Sequence, residues 1–574
     1  MSRTTDAGKH LDADHVRAAP PRAPVDGAGA VARPQVSPRW RLLPAVCDKP
    51  CHDTPPGPGV SRPSPAPARA EGVVVDKGLR SGAVGLVSSI VLGVSSTAPA
   101  YALAATLGFV VIAVGVKAPA VMLLAFVPMW LIALAYAELN RREPDCGTTF
   151  TWAARAFGPR TGWLGGWGII AADVMVMANL AQVAGSYGYQ LVGADSLAES
   201  TFWTTVAGVG WIVVMTGICY RGIQPTARVQ NVLLAVEVVV LVACAGYALV
   251  EVYAGTAPAG SLTPSLSWLW PSGLSWSSLT EALLLAIFIY WGWDSAVAVN
   301  EETADPRRSP GRAALISTVL LVGIYTVVSI ATVAFAGVGT GGVGLGNEAN
   351  AEDVFGALGT TVFGDGVLGR AFEALLVLSV LTSSAACTQT TILPTARGTL
   401  SMAAYGALPR SFARIHPRYL TPTVSTVWMG AVSIAFYVGL TLVSENVLGD
   451  SIAATGMLIA FYYGLTGFAC AWEFRRSAHG LRDVVVRVVL PLLGGLFMLV
   501  VLVLACVAYA DPEYGETVVH GVGGVFVIGA GSLLLGVLLM AAWNVVAPAF
   551  FRGETMQPGA GDLLDSVAGT DSRA

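Results

Sequence analysis

The chain alternates between long apolar runs and short polar segments, and this pattern predicts its secondary structure. The runs are about 20 residues or longer, the length that a helix needs to cross the roughly 30 Å hydrocarbon core of a bilayer. Because lipid cannot hydrogen-bond to backbone groups, each run is expected to be helical. The predicted spans lie near residues 82–112, 118–138, 161–190, 202–219, 229–250, 280–300, 313–337, 371–393, 423–441, 451–472, 485–509 and 520–548. The fold class is therefore an all-α polytopic membrane protein with 12 transmembrane helices.

Composition and charge agree with this class. The 574 residues are 54% hydrophobic and only 12% charged, about half the charged fraction of a typical soluble domain. Of 33 basic residues, only Lys117 and Arg370 fall in connections from an odd to an even span. Basic residues concentrate in cytoplasmic loops, so both termini are predicted to be cytoplasmic, on a multi-pass protein of the plasma membrane. No basic stripe indicates a nucleic-acid partner.

The two ends of the chain differ from its apolar body. Residues 1–75 are rich in Pro, Ala, Gly and Arg and have no apolar periodicity, which is typical of a disordered tail. An over-extended start, with translation beginning near residues 73–75, explains the same composition, and both interpretations stay open. Residues 551–574 are predicted to form a cytoplasmic C-terminal tail.

Two predicted spans are interrupted by residues that break helices. In "VLGVSSTAPAYALA" (residues 91–104), hydroxyl residues and Pro99 stand in the middle of the first apolar run, and in "AIFIYWGWDSAVAVNEETADPRRSP" (residues 286–310) Gly292 precedes Asp294. Ser, Thr and Gly are also common at ordinary helix contacts in membranes. However, interruptions at matching places in two halves indicate an inverted-repeat transporter with its binding site at the bilayer midplane.

Three carboxylates fall well inside predicted spans: Asp173, Glu237 and Asp294. Charged carboxylates are costly there, so some are expected to be protonated, as a proton relay requires. Packing and hydrogen bonding in a wet cavity is the alternative role for each. No Lys or Arg is expected comparably deep, which favours a neutral or cationic ligand over an acidic one. Glu301 and Glu302, with Arg307 and Arg308, are interpreted as a solvated cluster of ion pairs rather than a gate.

The chain from about residue 77 to residue 545 resembles the amino acid–polyamine–organocation permease family. The likeness rests on the first-span break, the loop "AELNRREPDCGTTFTWAARAFGPRTGWLGGW" (137–167), the sixth-span run through "EETADPRRSPGRA" and the loop "ARGTLSMAAYGALPRSFARIHPRYLTP" after the eighth span. It implies a LeuT-like core, a five-plus-five inverted repeat with broken helices 1 and 6. The implied repeats are residues 76–250 and 251–475, with helices 11 and 12 in residues 476–550.

The resemblance also implies roles for single residues. Gly292 would be the unwinding point of the sixth span and Phe288 an aromatic gate over the substrate, while Asp294 would link the substrate site to protons. Many members have a Gly-Ser-Gly type sequence where this chain has hydroxyls, and some proton-coupled members have a lysine near the position of Glu237. The candidate substrate-binding residues are Ser95, Ser96, Thr97, Phe288, Trp291 and Gly292; the candidate proton-coupling residues are Glu237, Asp294 and Asp173; the candidate cation site is Thr382, Ser383 and Ser384.

These observations predict a secondary transporter that moves a small neutral or cationic amino acid or amine by proton symport with alternating access. Sodium is the alternative coupling ion. An amino acid or polyamine exchanger without net proton movement and a sensor that binds without transporting are the alternative functions. No nucleophile–His–acid set, metal cluster or phosphate-binding loop is recognised in the sequence. An enzyme, a cofactor and a bound metal are therefore not expected.

Overall fold

The computed structural model describes residues 76–351, 353–363 and 366–556, and this part of the chain is almost entirely helical. The tail predicted for residues 1–75 and most of the tail predicted for residues 551–574 lie outside the described residues. The α-helices are α1 Leu86–Ser96, α2 Pro99–Val114, α3 Ala118–Arg142, α4 Thr149–Phe157, α5 Pro159–Leu191, α6 Asp195–Ala198, α7 Thr201–Tyr220, α8 Ile223–Ala254, α9 Trp276–Ile289, α10 Ser295–Ala298, α11 Ser309–Ala336, α12 Val354–Phe363, α13 Val367–Ala404, α14 Thr423–Val443, α15 Glu445–Phe474, α16 Leu481–Val484, α17 Leu490–Tyr509, α18 Gly524–Val546 and α19 Pro548–Phe551.

Shorter elements connect these helices. Single 3₁₀ turns lie at Gly115–Lys117, Leu266–Leu269, Asn300–Glu302, Glu348–Asn350, Arg410–Ala413 and Glu554–Met556, and a π-helical turn at Val485–Val489 joins α16 to α17. The strands β1 Val518–Val519 and β2 Val522–Gly523 form an antiparallel hairpin ahead of α18. Of the predicted span 520–548, the first residues are therefore hairpin rather than helix.

Ten helical segments of the described chain are long and apolar enough to cross a membrane. One of them, Leu86–Arg142, covers two predicted spans, and the apolar helix Trp276–Ile289 is shorter than the others. Many outward-facing side chains are large and apolar, such as Val500 and Leu538, which are 54% and 59% exposed. Since water would not favour such a surface, the outer helices are suited to contact with lipid. The protein is thus an all-helical, multi-span membrane protein.

The interior helices bury a larger share of their residues than the helices at the rim. In α5 and α13, 78% and 83% of the apolar window is buried, against 17% in α18. Of the two broken helix pairs, α1 and α2 both pack against α13, while α9 packs against α3 and α10 packs against α13. The interior helices therefore hold polar residues away from both lipid and water, and most candidate site residues lie on them or in the two breaks; Glu237, on α8, is an exception.

Candidate functional site

The first interruption lies between α1 and α2. Helix α1 ends at Ser96, and Ala98 adopts a left-handed conformation with φ of 46° before Pro99 begins α2. The Thr97 hydroxyl turns back and donates to the carbonyl oxygen of Val94 at 2.7 Å. Left-handed backbone is unfavourable for alanine, so the surrounding contacts must hold this break open.

The second interruption follows α9 and lies against the first. Gly292 has φ of 116°, a conformation that side-chain-bearing residues rarely adopt. A Cβ atom at Gly292 would lie 2.5 Å from the carbonyl oxygen of Ser96. Nearby, the hydroxyl oxygens of Ser96 and Ser295 are 2.7 Å apart and share a hydrogen bond. The two breaks therefore cross in direct backbone contact.

A small cavity, with room for about one water molecule, lies beside this crossing. Its lining includes Ser96, Asp173, Trp291, Asp294, Thr391 and Tyr462. The Tyr463 and Tyr462 hydroxyls donate to the two oxygens of Asp294 at 3.0 and 3.3 Å. The Thr395 hydroxyl donates to Asp173, and the indole N–H of Trp291 donates to the Tyr462 hydroxyl. Two carboxylates, held by hydroxyl donors, thus face one enclosed space.

Glu237 lies on α8 outside this cavity lining and contacts the start of α2. Its side chain is completely buried. Its Oε1 atom accepts the backbone N–H of Ala100 at 2.8 Å and the Ser383 hydroxyl at 2.7 Å. Its Oε2 atom has no hydrogen-bond partner within the described chain. A negative group at a helix N-terminus is favoured by the helix dipole, so Glu237 acts as a side-chain cap supplied by another helix.

A polar stripe on α13 connects these groups. It consists of Ser383, Cys387, Thr391 and Thr395, which recur every fourth residue and so share one face of the helix. Ser383 bonds to Glu237, the Cys387 thiol donates to the Ser96 carbonyl at 3.1 Å, and Thr395 bonds to Asp173. The stripe joins the start of α2, the crossing of the breaks and the cavity.

A second polar cluster closes the end of the bundle where the basic residues concentrate. The Lys77 ammonium contacts Asp145 at 2.9 Å and Glu301 at 2.6 Å. Burial alone would raise the pKa of Asp145, but Lys77 and the hydrogen bonds from Ser401 and Gly147 hold this pKa at about 2. Burial raises the pKa of Glu301 despite the same lysine. Asp145 is therefore the more firmly ionised partner of Lys77.

Beside this cluster, Arg397 and Glu302 form a second ion pair, and both side chains are 0% exposed. The Arg397 Nε and Nη2 atoms donate to Glu302 at 2.8 and 3.2 Å. Helix α13 continues to Ala404, past the predicted span, and Arg397 is buried on it. One sequence-based expectation was wrong here. Glu301 and Glu302 pair with Lys77 and Arg397 in the interior rather than with Arg307 and Arg308 in solvent.

Three potential metal ligands occur in this region. The ligating atoms of Asp145, Cys146 and Glu301 lie within 4.8 Å of one another. The Lys77 ammonium already contacts both carboxylates. A cation is thus supplied by the chain itself, and the group is better described as an ion-pair cluster.

The structure brings together some of the predicted site residues and separates others. Ser96, Trp291, Gly292, Asp173 and Asp294 line the cavity. Ser95 and Thr97 flank the first break, and the Ser95 hydroxyl has no partner in the described chain. The remaining predicted residues have contacts of a different kind, described below.

Phe288 and the hydroxyl triplet on α13 lie off the cavity. The Phe288 ring packs against Trp291, with ring centroids 6.4 Å apart. In the triplet, Thr382 and Ser384 donate to carbonyl oxygens of their own helix, at 3.0 Å each. Only Ser383 reaches across to Glu237, so the three hydroxyls do not converge on one point.

Sequence reasoning did not single out Ser295, Thr391, Thr395, Lys77, Asp145 or Arg397. The four-residue repeat of Ser383, Cys387, Thr391 and Thr395 is a signal that could have identified the polar face of α13. For Lys77 and Asp145 the sequence offers no comparable signal, because they are 68 residues apart and meet only in the folded protein.

The amino acid permease family model matches residues 83–531. The chain belongs to this family. An uncharacterized transporter of Mycobacterium tuberculosis is 27% identical over 355 residues, which are 61% of this chain and 72% of that protein. The low-affinity putrescine importer PlaP of Escherichia coli is 24% identical over 375 residues, 65% of this chain and 77% of the importer. The branched-chain amino acid permease BcaP of Lactococcus lactis is 25% identical over 396 residues, 65% of this chain and 78% of that permease.

This match confirms the resemblance drawn from the interrupted spans and loops. The family is one of transporters rather than enzymes, and two of the relatives above are named for the transport of putrescine and of branched-chain amino acids. The chain is accordingly a membrane transporter of the amino acid and amine class. The contact between the two breaks and the cavity beside it form the candidate substrate site of this permease.

Proposed function

We propose that this permease is a secondary active transporter that moves a small neutral or cationic amino acid or amine across the plasma membrane by proton symport with alternating access. One observation carries the proposal. The two helix breaks meet where the backbone of Gly292 contacts the carbonyl of Ser96, and beside this contact Asp173 and Asp294 face one cavity. Broken helices expose backbone groups to a ligand, and buried carboxylates can bind a cationic group or a proton.

The proposal includes 12 spans, with a five-plus-five inverted repeat in the first ten. Two observations support this count. Separating Leu86–Arg142 into its two predicted spans adds one span to the ten long segments, and the shorter helix Trp276–Ile289 adds another. The broken pairs α1–α2 and α9–α10 then occupy the first and sixth positions, as the repeat requires. Both termini are proposed to be cytoplasmic because the connections from even to odd spans contain nearly all the basic residues.

Alternating access requires a closed end, and the ion pairs of Lys77 and Arg397 are suited to this role. A second small space is lined by the loop that contains Cys146 and by Asp294, which also lines the cavity. Around this loop, Lys77 bonds to Asp145, and the backbone of Ala83 bonds to the Glu302 carbonyl at 2.8 Å. We infer that opening these contacts releases substrate to the cytoplasm.

Proton coupling is assigned to Glu237, Asp294 and Asp173. Glu237 bonds to the first turn of α2, so a change in its protonation alters the contact that stabilises the first break. Asp294 and Asp173 face the cavity, where each carboxylate can bind a proton or a cationic group of the substrate, and a proton on Glu237, outside the cavity, can cross together with that substrate. The divergent hydroxyls of Thr382 and Ser384 favour protons over sodium, because a sodium site requires several oxygens converging on one point.

Uptake into proteoliposomes tests the proposal. Labelled neutral amino acids, basic amino acids and amines would be supplied with and without an inside-alkaline pH gradient, for the wild type, Glu237→Gln and the control Glu281→Gln, whose carboxylate is exposed on α9. We expect accumulation driven by the gradient in the wild type and the control, and its loss in Glu237→Gln. Uptake that needs only preloaded substrate and ignores the gradient would replace symport with exchange.

A further inference from the structure

We propose that the substrate of this permease is an amine without a carboxylate, preferably a diamine, because the chain's own Glu237 occupies the place where an amino acid's carboxylate would bind. The inference rests on the proposed transport function and specifies its substrate. It follows from the hydrogen bonds at the first break and from the charges that line the cavity.

The first turn of α2 is the part of the broken span best suited to bind an anion, because a helix N-terminus presents unpaired N–H groups and positive dipole. In this permease no such group is left. Pro99 has no N–H, the Ala100 N–H donates to Glu237 at 2.8 Å, the Tyr101 N–H donates to the Ser383 hydroxyl at 3.3 Å, and the Ala102 N–H donates to the Ala98 carbonyl at 2.8 Å.

The residues just before this turn are also satisfied. The N–H groups of Thr97 and Ala98 donate to the carbonyl oxygens of Val94 and Ser95 at 3.1 and 3.2 Å. A substrate carboxylate therefore finds no free donor between Thr97 and Ala102. Whenever Glu237 is ionised, its charge would also repel a substrate carboxylate, because two like charges in a buried site repel strongly.

The cavity itself favours positive charge. Asp173 and Asp294 line it, and within the described chain its lining includes no Lys, Arg or His. Arg397, the buried arginine of α13, is paired with Glu302. Two carboxylates line one cavity, so a diamine would find a negative partner for each of its ammonium groups once the cavity widens to admit it. The rings of Trp291 and Tyr462, which also line the cavity, suit the methylene chain between such groups and add cation–π attraction.

Pairs of solutes that differ only by a carboxylate test this inference. Putrescine is ornithine without its carboxylate, and cadaverine stands in the same relation to lysine. Each pair, with leucine as a neutral amino acid, would be compared as substrates and competitors in wild-type proteoliposomes. We expect the amine of each pair to be half-saturating at a concentration at least about tenfold below that of its amino acid, a difference of about 1.4 kcal/mol.

Glu237→Ala provides the second test, because it frees the Ala100 N–H and removes the competing charge. We expect the preference for amine over amino acid to fall at least about tenfold in this variant and to persist in Glu281→Gln. Binding to detergent-purified protein, followed as a shift in apparent Tm, gives the same comparison if Glu237→Ala does not transport.

The outcomes separate the substrate assignment from the transport function. Preferred uptake of ornithine, lysine or leucine by the wild type would overturn the amine assignment and leave the proposed transport function intact. An unchanged preference in Glu237→Ala would overturn the role of Glu237 in rejecting carboxylates. If no solute of the panel is transported or shifts the Tm, the proposed function fails and the substrate inference fails with it.

Discussion

The α-carbon of Gly292 faces the backbone carbonyl of Ser96, and a Cβ atom there would lie 2.5 Å from that oxygen. Gly292→Ala adds this atom at a backbone φ of 116° that alanine rarely adopts. We expect the variant to lose transport and about 1–3 kcal/mol of stability, the range for backbone strain of this kind.

A matched control for this substitution is Gly323→Ala on α11. Nothing lies within 4 Å of a Cβ atom at Gly323. Alanine in a helix is favoured over glycine by roughly 0.5–1 kcal/mol, so this variant should keep transport and be at least as stable as the wild type. Initial uptake rates and apparent Tm values check both variants, and normal uptake by Gly292→Ala would show that the crossing tolerates a side chain.

Asp294 is expected to determine the apparent affinity for a cationic substrate. Asp294→Asn keeps the shape of the side chain and the hydrogen-bond acceptor for Tyr463 but removes the charge that faces the cavity. The half-saturating concentration should rise by at least about tenfold, since charge-assisted hydrogen bonds contribute roughly 1.5–3 kcal/mol. Asp195→Asn on the exposed helix α6 is the control. An unchanged half-saturating concentration in Asp294→Asn would place the substrate elsewhere.

Replacing only one residue of the buried pair Arg397 and Glu302 should destabilise the protein much more than replacing both. Glu302→Gln leaves the Arg397 charge buried without its partner, which costs about 3–5 kcal/mol. Glu302→Leu with Arg397→Met removes both charges and should recover part of that loss. Glu473→Gln disrupts the half-exposed contact to Arg142, where about 0–1 kcal/mol is expected. Apparent Tm values check the order, and a double variant less stable than Glu302→Gln would contradict it.

The ion pair of Lys77 and Asp145 should stabilise the fold over a wide range of pH. The pKa of Asp145 is lowered from 3.8 to about 2, so its contribution is present above pH 3.8 and is lost as the pH falls toward 2. The pKa of Lys77 is raised above 10.5, so its contribution is present below that pH and is lost as the pH rises past it. The difference in Tm between wild type and Asp145→Asn should therefore be constant from about pH 5 to about pH 9. A difference that changes steeply inside this window would contradict the assigned ionisation.

The orientation of the chain can be measured with single cysteines. Ser272 lies in the exposed connection before α9, and Ser477 lies in the exposed connection after α15. A membrane-impermeant thiol reagent added to intact cells should label Ser272→Cys and leave Ser477→Cys unlabelled until the cells are opened. A chain without its native cysteines serves as the parent for both variants. The reverse pattern would place the basic end of the bundle outside.

The hydropathy pattern predicted the helices well because every span must satisfy its backbone hydrogen bonds internally in lipid, which only a long apolar helix does here. The predicted limits of the span at 423–441 nearly coincide with Thr423–Val443. Both interruptions were also predictable, since Pro99 and Gly292 limit the backbone conformations available to the chain. The sequence pattern did not reveal that Arg397 would be buried, because α13 continues past the predicted span to Ala404, where hydropathy no longer marks its end.

Partners across the fold could not be predicted from local pattern. The bond between Glu237 and Ala100 joins residues 137 positions apart, and the Lys77 contact to Glu301 joins residues 224 positions apart. The residue types at Glu237 and Asp294 indicated chemistry, but only the packing of α8 against α1 and α2 assigned Glu237 to a helix end rather than to the cavity. Contacts between residues so far apart in the sequence depend on the topology of the fold, which local patterns in a single sequence do not specify.

The two carboxylates that share the cavity have a consequence for how membrane voltage acts on the transport cycle. If both stay ionised after substrate leaves, the empty permease must reorient with two extra negative charges, and each charge that crosses the full potential exchanges about 2.3 kcal/mol per 100 mV. A bound dication or two protons cancel those charges. The loaded form then reorients almost independently of voltage, whereas the return of the empty form depends on it. The membrane potential would therefore affect the turnover rate mainly through the step in which the empty permease returns to its starting orientation.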